Sequence, residues 1–258
     1  MAFQGKSALV TGGGSGMGRL AAQQFAAAGA HVAILDVNEA GLQETAAGND
    51  KIHPYVVDIT DFDAVSRAVN EFEAAHGPLD RVYNCAAIMP FGRLLEQDPS
   101  LTNKLMSINY GGLVCVARAT VPGMVERGSG EFASFASMSG IIPSLLMGGY
   151  NASKAAVVAY TEVLWHENRD SGVKFVCVCP PAVATPLLNQ GKESTWPKLM
   201  QQSEGEELAP ETVLAAVERD LGKSKFWCMV TGQAKLGWFM RRFFPNLVWN
   251  NIHKVEGW

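Results

Sequence analysis

Nowhere among its 258 residues does this chain carry a continuous apolar run of the ~18 residues that would suggest a membrane-spanning helix. It has no basic excess: 21 Lys and Arg face 25 Asp and Glu, giving a net charge of −4 and a pI near 5.8. A nucleic-acid binder normally shows a basic stripe, so no nucleic-acid partner is expected. Cysteine is scarce, with 5 in all. Cys177-Val178-Cys179 and the others lack zinc spacing, and they read as reduced, mostly buried thiols of a cytoplasmic protein. No cluster with metal-ligand spacing is visible, and no metal is expected. Repeats, low-complexity tracts and linkers are missing too. The stretch Met1-Ala2-Phe3-Gln4-Gly5-Lys6 enters a strand-like run without the pattern of a signal peptide, which again suggests the cytoplasm. The apolar share of 48% suffices for one large core, so residues 1–258 are expected to form a single domain.

Short β-type runs alternate with helical ones. Strands are expected at Ser7–Thr11, His31–Leu35, Tyr55–Val57, Arg81–Tyr83, Glu131–Ser137, Val173–Val178 and Phe226–Val230. Helical apolar spacing marks Gly18–Ala28, Ala40–Ala47, Phe62–Ala75, Leu101–Val125, Tyr150–Asp170 and Pro210–Leu221. Near-continuous apolar strands alternating with helices predict an α/β fold: a doubly wound parallel sheet of about seven strands with helices on both faces. Two stretches fall outside the alternation. One is the polar segment Pro186–Ala209, expected to act as a mobile lid. The other is an aromatic tail from Leu236 to Trp258.

Thr11-Gly12-Gly13-Gly14-Ser15-Gly16-Met17-Gly18 follows the first strand and opens the first helix. Glycines there let the backbone turn tightly and let a pyrophosphate approach, while the helix N-terminus offers free N–H groups. A tight strand–helix connection would need similar residues. Asp36 sharpens the reading, because an acid ending the second strand is placed to accept hydrogen bonds from an adenosine ribose. No Lys or Arg lies between Gly12 and Gly18, and none directly follows Asp36. A 2′-phosphate would therefore meet a carboxylate without a countercharge, which favours NAD over NADP.

Polar residues also end the next strands: Asp58 before Ile59, Asn84, and Ser137. Ligands of open α/β sheets bind beyond the carboxyl ends of the strands, so these residues form a candidate constellation. Asn109 sits inside a long helical pattern, where asparagine is unfavourable. A kink there would free a carbonyl or a side chain. In Tyr150-Asn151-Ala152-Ser153-Lys154, Tyr150 and Lys154 are four apart and share a helix face. A tyrosine of pKa about 10 is a poor base near neutrality, but a neighbouring cation favours its phenolate. By itself the pair is a weak signal, and its company decides.

With these motifs together, the chain resembles the short-chain dehydrogenases/reductases in their short single-domain branch, from about Lys6 to Thr185. The residues that carry the likeness are Thr11-Gly12, Gly16, Gly18, Asp58, Asn84-Cys85-Ala86-Ala87, Asn109, Ser137, Tyr150, Lys154 and Pro180-Pro181-Ala182-Val183-Ala184-Thr185. The resemblance implies a Rossmann-type fold and NAD-linked interconversion of a hydroxyl and a carbonyl. Tyr150 is then the acid–base group, Ser137 holds the substrate oxygen, Lys154 lowers the Tyr150 pKa and binds the nicotinamide ribose, and Asn109 orders a proton-relay water. Thr11, Gly12, Ser15, Gly16, Met17 and Gly18 seat the cofactor. Asp36 takes the adenosine ribose, Asp58 and Ile59 lie at the adenine, Asn84 lies at the cofactor, and Val183 and Thr185 hold the carboxamide. Two departures stand out: Ala87 and Pro181 replace family glycines and bear on local backbone shape and substrate choice. The resemblance also implies a homodimer or homotetramer paired through the helices at Leu101–Val125 and Tyr150–Asp170.

The residues expected around the substrate are apolar: Ile88, Met89, Pro90, Ile141, Ile142, Pro143, Leu145, Leu146, Met147, Leu187 and Leu188. A hydrophobic secondary alcohol or ketone is the expected partner. A 3-oxoacyl thioester reductase is the enzymatic alternative, and an idle NAD-binding sensor or scaffold the non-enzymatic one. For the tail three readings compete: packing within the subunit or oligomer, walling the substrate pocket, and lying on a membrane surface. Two arginines in an acidic chain are few for the last, so packing with some residues at the pocket mouth is favoured.

Overall fold

The computed structural model describes residues 3–192, 195–202 and 204–258. Its centre is a parallel sheet of seven strands in the order β3-β2-β1-β4-β5-β6-β7. They are β1 (Ser7–Thr11), β2 (His31–Asp36), β3 (Ile52–Val56), β4 (Arg81–Asn84), β5 (Gly130–Phe135), β6 (Val173–Val178) and β7 (Trp227–Cys228). Residues two apart on a strand share a face, and the packing follows that period. Leu9, Ala33 and Leu35 meet Val65, Val69 and Phe72 of α3 (Phe62–His76), Val116 and Val121 of α5 (Gly112–Arg127) and Val157 of α6 (Gly148–Glu167). Ala8, Val10, Val32 and Ile34 point the other way. They meet Ala22 and Phe25 of α1 (Gly16–Ala27), Leu42 of α2 (Glu39–Ala46) and Val213 and Val217 of α9 (Pro210–Leu221). The doubly wound architecture is therefore as expected. Near the sheet centre the Arg81 guanidinium, 3% exposed, pairs with Glu131 and Glu218 and lies over the Phe3 ring. It thereby ties β4 to β5 and α9.

Boundaries differ where single residues oppose the periodicity. β3 begins three residues earlier than expected and contains Pro54; an edge strand tolerates a proline because one side needs no ladder donor. β5 stops at Phe135, leaving Ser137 to cap the 3₁₀ turn Met138–Gly140. The long helix expected at Leu101–Val125 is broken into α4 (Pro99–Leu105), a π turn at Met106–Gly111, and α5. Asn109 lies inside that π turn, where its poor helix propensity anticipated a distortion.

The segment expected as a lid holds α7 (Pro186–Lys192) and α8 (Lys198–Gln201). Residues 193, 194 and 203 of that segment lie outside the described residues. The tail forms two helices, α10 (Gly232–Phe243) and α11 (Pro245–Glu256). Pro245, which cannot continue a helix but fits its first turn, opens the second. No helix among the described residues is long and apolar enough to cross a membrane.

Candidate active site

The strand order reverses between β1 and β4, and the site lies beyond their carboxyl ends. Thr11 and Asn84 close this crevice: the Thr11 hydroxyl donates to Asn84 Oδ1 at 3.0 Å and accepts from the Ala86 N–H at 3.1 Å. Between them runs the glycine loop. Gly12 has φ +68°, and a Cβ there would stand 2.9 Å from the Ala86 nitrogen. A Cβ on Gly18 would stand 2.2 Å from the Gly12 carbonyl oxygen. Both positions therefore exclude side chains, and the loop stays open above the N-terminus of α1. Ser15 is the N-cap of α1, yet its side chain makes no capping hydrogen bond. This cradle fits a pyrophosphate.

Asp36 ends β2 beside the loop, accepting from the Gly14 N–H at 3.0 Å and the Asn38 N–H at 3.0 Å. Asp58 Oδ1 accepts from the Thr60 N–H at 2.9 Å and from its hydroxyl at 2.8 Å. Ile59 is buried under Gly112. Arg19, just past the last glycine, pairs with Glu44 at 2.8 Å and donates to the Gly14 carbonyl at 2.5 Å and the Gly41 carbonyl at 3.3 Å.

Ser137, Tyr150 and Lys154 line one cavity of about 750 Å³, together with Met17, Val183 and Thr185. The Lys154 ammonium donates to the Phe135 carbonyl at 2.7 Å and stands 5.7 Å from the centre of the Tyr150 ring. The expected lowering of the Tyr150 pKa, which draws on Lys154 and a positive nicotinamide ring together, does not come from the protein alone. Burial pushes the Tyr150 hydroxyl up to about 12, with the Ser137 side chain acting against the rise. Burial also pushes Lys154 down to about 8. Desolvation disfavours both charged forms and outweighs the attraction that helix spacing promised.

The Asn109 side chain is fully engaged. Its Oδ1 accepts from the Ile88 N–H at 2.9 Å, and its Nδ2 donates to the Ile88 carbonyl at 3.0 Å and to Ser153 Oγ at 2.9 Å. It fastens the loop after β4 to α6 at Ser153, the residue before Lys154, which is a positioning task.

Of the expected substrate residues, Met89, Ile142, Met147, Leu187 and Leu188 line the large cavity. Pro143, Leu145 and Leu146 line a neighbouring cavity of about 700 Å³. Ile88 and Ile141 pack into the core instead. The departures Ala87 and Pro181 both lie in the large cavity wall. Sequence reasoning missed much of that wall. Leu199 and Met200 come from α8, Met240 from α10, and Leu247, Val248 and Ile252 from α11. Glu256 secures this arrangement: its carboxylate accepts from the Lys198 N–H at 3.1 Å and the Leu199 N–H at 2.8 Å, joining α11 to the start of α8. The favoured reading of the tail thus shifts, since its helices wall the cavity within the subunit.

A profile of the family described as short chain dehydrogenase matches residues 6–196. The chain belongs to this family. It is 36% identical over 191 residues to 2-keto-3-deoxy-L-fuconate dehydrogenase of Xanthomonas campestris pv. campestris, a match covering 73% of this chain and 62% of that relative. The chain thus spans less than two thirds of that relative's length. It is 29% identical over 262 aligned residues to 17-beta-hydroxysteroid dehydrogenase 13 of Rattus norvegicus, covering 98% of this chain and 83% of that protein. Among solved structures, a short chain dehydrogenase/reductase of Burkholderia phymatum in complex with NAD has a TM-score of 0.85 at 25% identity, covering 96% of each chain. Strands β1 to β6 and the first loop lie within the family match, while β7 and the cavity wall after residue 196 lie beyond it.

Proposed function

We propose that this short chain dehydrogenase is an NAD-dependent oxidoreductase that interconverts a hydrophobic, uncharged secondary alcohol and its ketone. The observation that carries the reading is the convergence of Ser137, Tyr150 and Lys154 in one largely apolar cavity that continues to Met17, Val183 and Thr185. Bound NAD would supply the hydride acceptor or donor and, when oxidised, a positive charge.

The chain's own residues then have separate tasks. The Ser137 hydroxyl hydrogen-bonds the substrate oxygen as charge develops on it. The Tyr150 phenolate oxygen receives the proton in oxidation, and the hydroxyl so formed returns it in reduction. Lys154, held on the Phe135 carbonyl, lies where it hydrogen-bonds a ribose and favours the phenolate as it charges. Gly12, Gly16 and Gly18 seat the pyrophosphate, Asp36 the adenosine ribose and Asp58 the adenine side. Asn109 holds the Ile88 loop and α6 in register with these groups.

Lys154 is the basic residue in the described cavity wall, and Glu206 is the acidic one. Nothing else basic there would receive a substrate carboxylate, which supports an uncharged partner over a sugar acid. The relative named for a hydroxysteroid, matched over 98% of this chain, supports the same choice. A panel of apolar secondary alcohols with NAD⁺, read by NADH absorbance, tests the proposal. Turnover confined to sugar acids would refute the substrate class. Preference for a 3-oxoacyl thioester would favour the reductase alternative, and no turnover with intact NAD binding would favour a sensor.

A further inference from the structure

Three histidines meet at the end of the sheet opposite the cofactor crevice. His31 opens β2, His53 lies in the edge strand β3, and His76 closes α3. Each is half-buried. One ring nitrogen from each can be chosen so that all lie within 4.8 Å of one another. Nδ1 of His31 stands 3.1 Å from Nε2 of His53. The His76 ring centre lies 4.4 Å from that of His31 and 4.1 Å from that of His53. The Phe72 ring backs His53 and His76.

Ring packing alone would explain stacked imidazoles, but the nitrogens add a second fact. Among the described residues, the hydrogen bond that these rings make is the one between His31 and His53. Zinc binds imidazole nitrogen at about 2.0–2.1 Å, which places two ligands of a tetrahedron about 3.4 Å apart. The His31–His53 separation of 3.1 Å is already close to that. His76 is the last residue of its helix, followed by Gly77 at φ +86°, so its ring can turn to bring the third nitrogen inward. The Asp50 carboxylate is close enough to act on His53 and offers nearby countercharge.

We propose that His31, His53 and His76 form a three-imidazole site for a divalent transition-metal ion, Zn²⁺ in particular, with solvent completing a tetrahedron. Imidazole ligands suit zinc, copper and nickel, and three protein ligands leave one position open. The ion would replace the shared His31–His53 proton and cross-link the edge strand to β2 and α3. It lies at the amino-terminal end of the strands, so its role is to fasten an edge and not to take part in hydride transfer.

Zinc chloride titrated into the full chain in a non-chelating buffer tests this, with Co²⁺ absorption as a second readout. One ion per chain should bind with Kd below about 10 μM and raise the thermal unfolding midpoint. The Co²⁺ spectrum should show d–d bands of a tetrahedral nitrogen–oxygen site without thiolate charge transfer. His76→Gln, at the end of α3, should weaken Zn²⁺ binding at least tenfold while circular dichroism stays unchanged. His31→Gln should do the same and serves if one variant folds poorly. Unaltered affinity in both variants, a thiolate band in the Co²⁺ spectrum, or no binding at 100-fold the expected Kd would overturn the site.

Discussion

The Lys154→Met variant should be more stable than the parent protein at pH 7, although it removes a residue from the centre of the candidate site. Lys154 is 3% exposed, and burial takes its pKa from 10.5 down to about 8. At about 1.36 kcal/mol for each pH unit, holding the charged form inside costs the fold about 3 kcal/mol. Methionine matches the lysine stem and carries no charge. It forfeits the charge-assisted hydrogen bond to the Phe135 carbonyl, a loss of about 2 kcal/mol. The net gain at pH 7 is then about 1 kcal/mol. Below pH 8 the lysine is charged in both the folded and unfolded chain, and the fold bears the whole penalty. Between about 8 and 10.5 the folded chain has released its proton while the unfolded chain keeps it, so rising pH stabilises the parent. The advantage of Lys154→Met should therefore shrink by about 1.4 kcal/mol per pH unit across that window. Urea unfolding of both proteins from pH 6.5 to 10.5 measures this difference, and groups shared by the two cancel to first order. A variant less stable at pH 7, or a difference that does not fall between pH 8 and 10, would refute the reasoning.

Tyr150→Phe should lose at least about 10²-fold in turnover, the scale of acid–base catalysis, with NAD affinity retained by fluorescence titration; near-normal turnover would remove Tyr150 from the mechanism. Wild-type protein should bind NAD at least about tenfold better than NADP, or ~1.4 kcal/mol, and Asp36→Ala should narrow that gap; equal binding by the wild type would contradict the role of Asp36. Ile252→Ala, at a position 3% exposed, should destabilise by about 2–5 kcal/mol and raise KM for apolar substrates more than for NAD, as steady-state kinetics would report. Light scattering at micromolar concentration should show a homo-oligomer. α10 leaves Leu236, Phe239 and Phe243 exposed, and a monomer would contradict this expectation.

The parts legible in the sequence are those that local chemistry dictates. Gly12 through Gly18 can be read because the loop and its helix are contiguous. Asp36 can be read because an apolar strand ends visibly before it. Asn109 betrayed the π turn because asparagine opposes the helix around it. What stayed hidden depends on distant chain segments meeting. Helical spacing put Lys154 beside Tyr150 but could not show the depth of burial, nor the Phe135 carbonyl that draws its ammonium away. The share of the wall taken by α8, α10 and α11 could be foreseen only as tail residues at the pocket mouth, because helical periodicity gives a face without its partner. His31, His53 and His76 carry no metal spacing, since sheet order and not sequence brings them together.

The division of the cavity has a practical meaning for redesign. The residues proposed for hydride transfer sit within those matched by the family model, 6–196, while Met200, Met240, Val248 and Ile252 come after it. Glu256 clips the far end of that later segment to α8 through two backbone amides. The candidate catalytic residues and the α10–α11 part of the wall thus come from separate stretches of chain, with α9 and β7 between them belonging to the core. If the proposed function holds, grafting α10 and α11 from a relative, with the Glu256 clip retained, should change the substrate preference without touching Ser137, Tyr150 or Lys154.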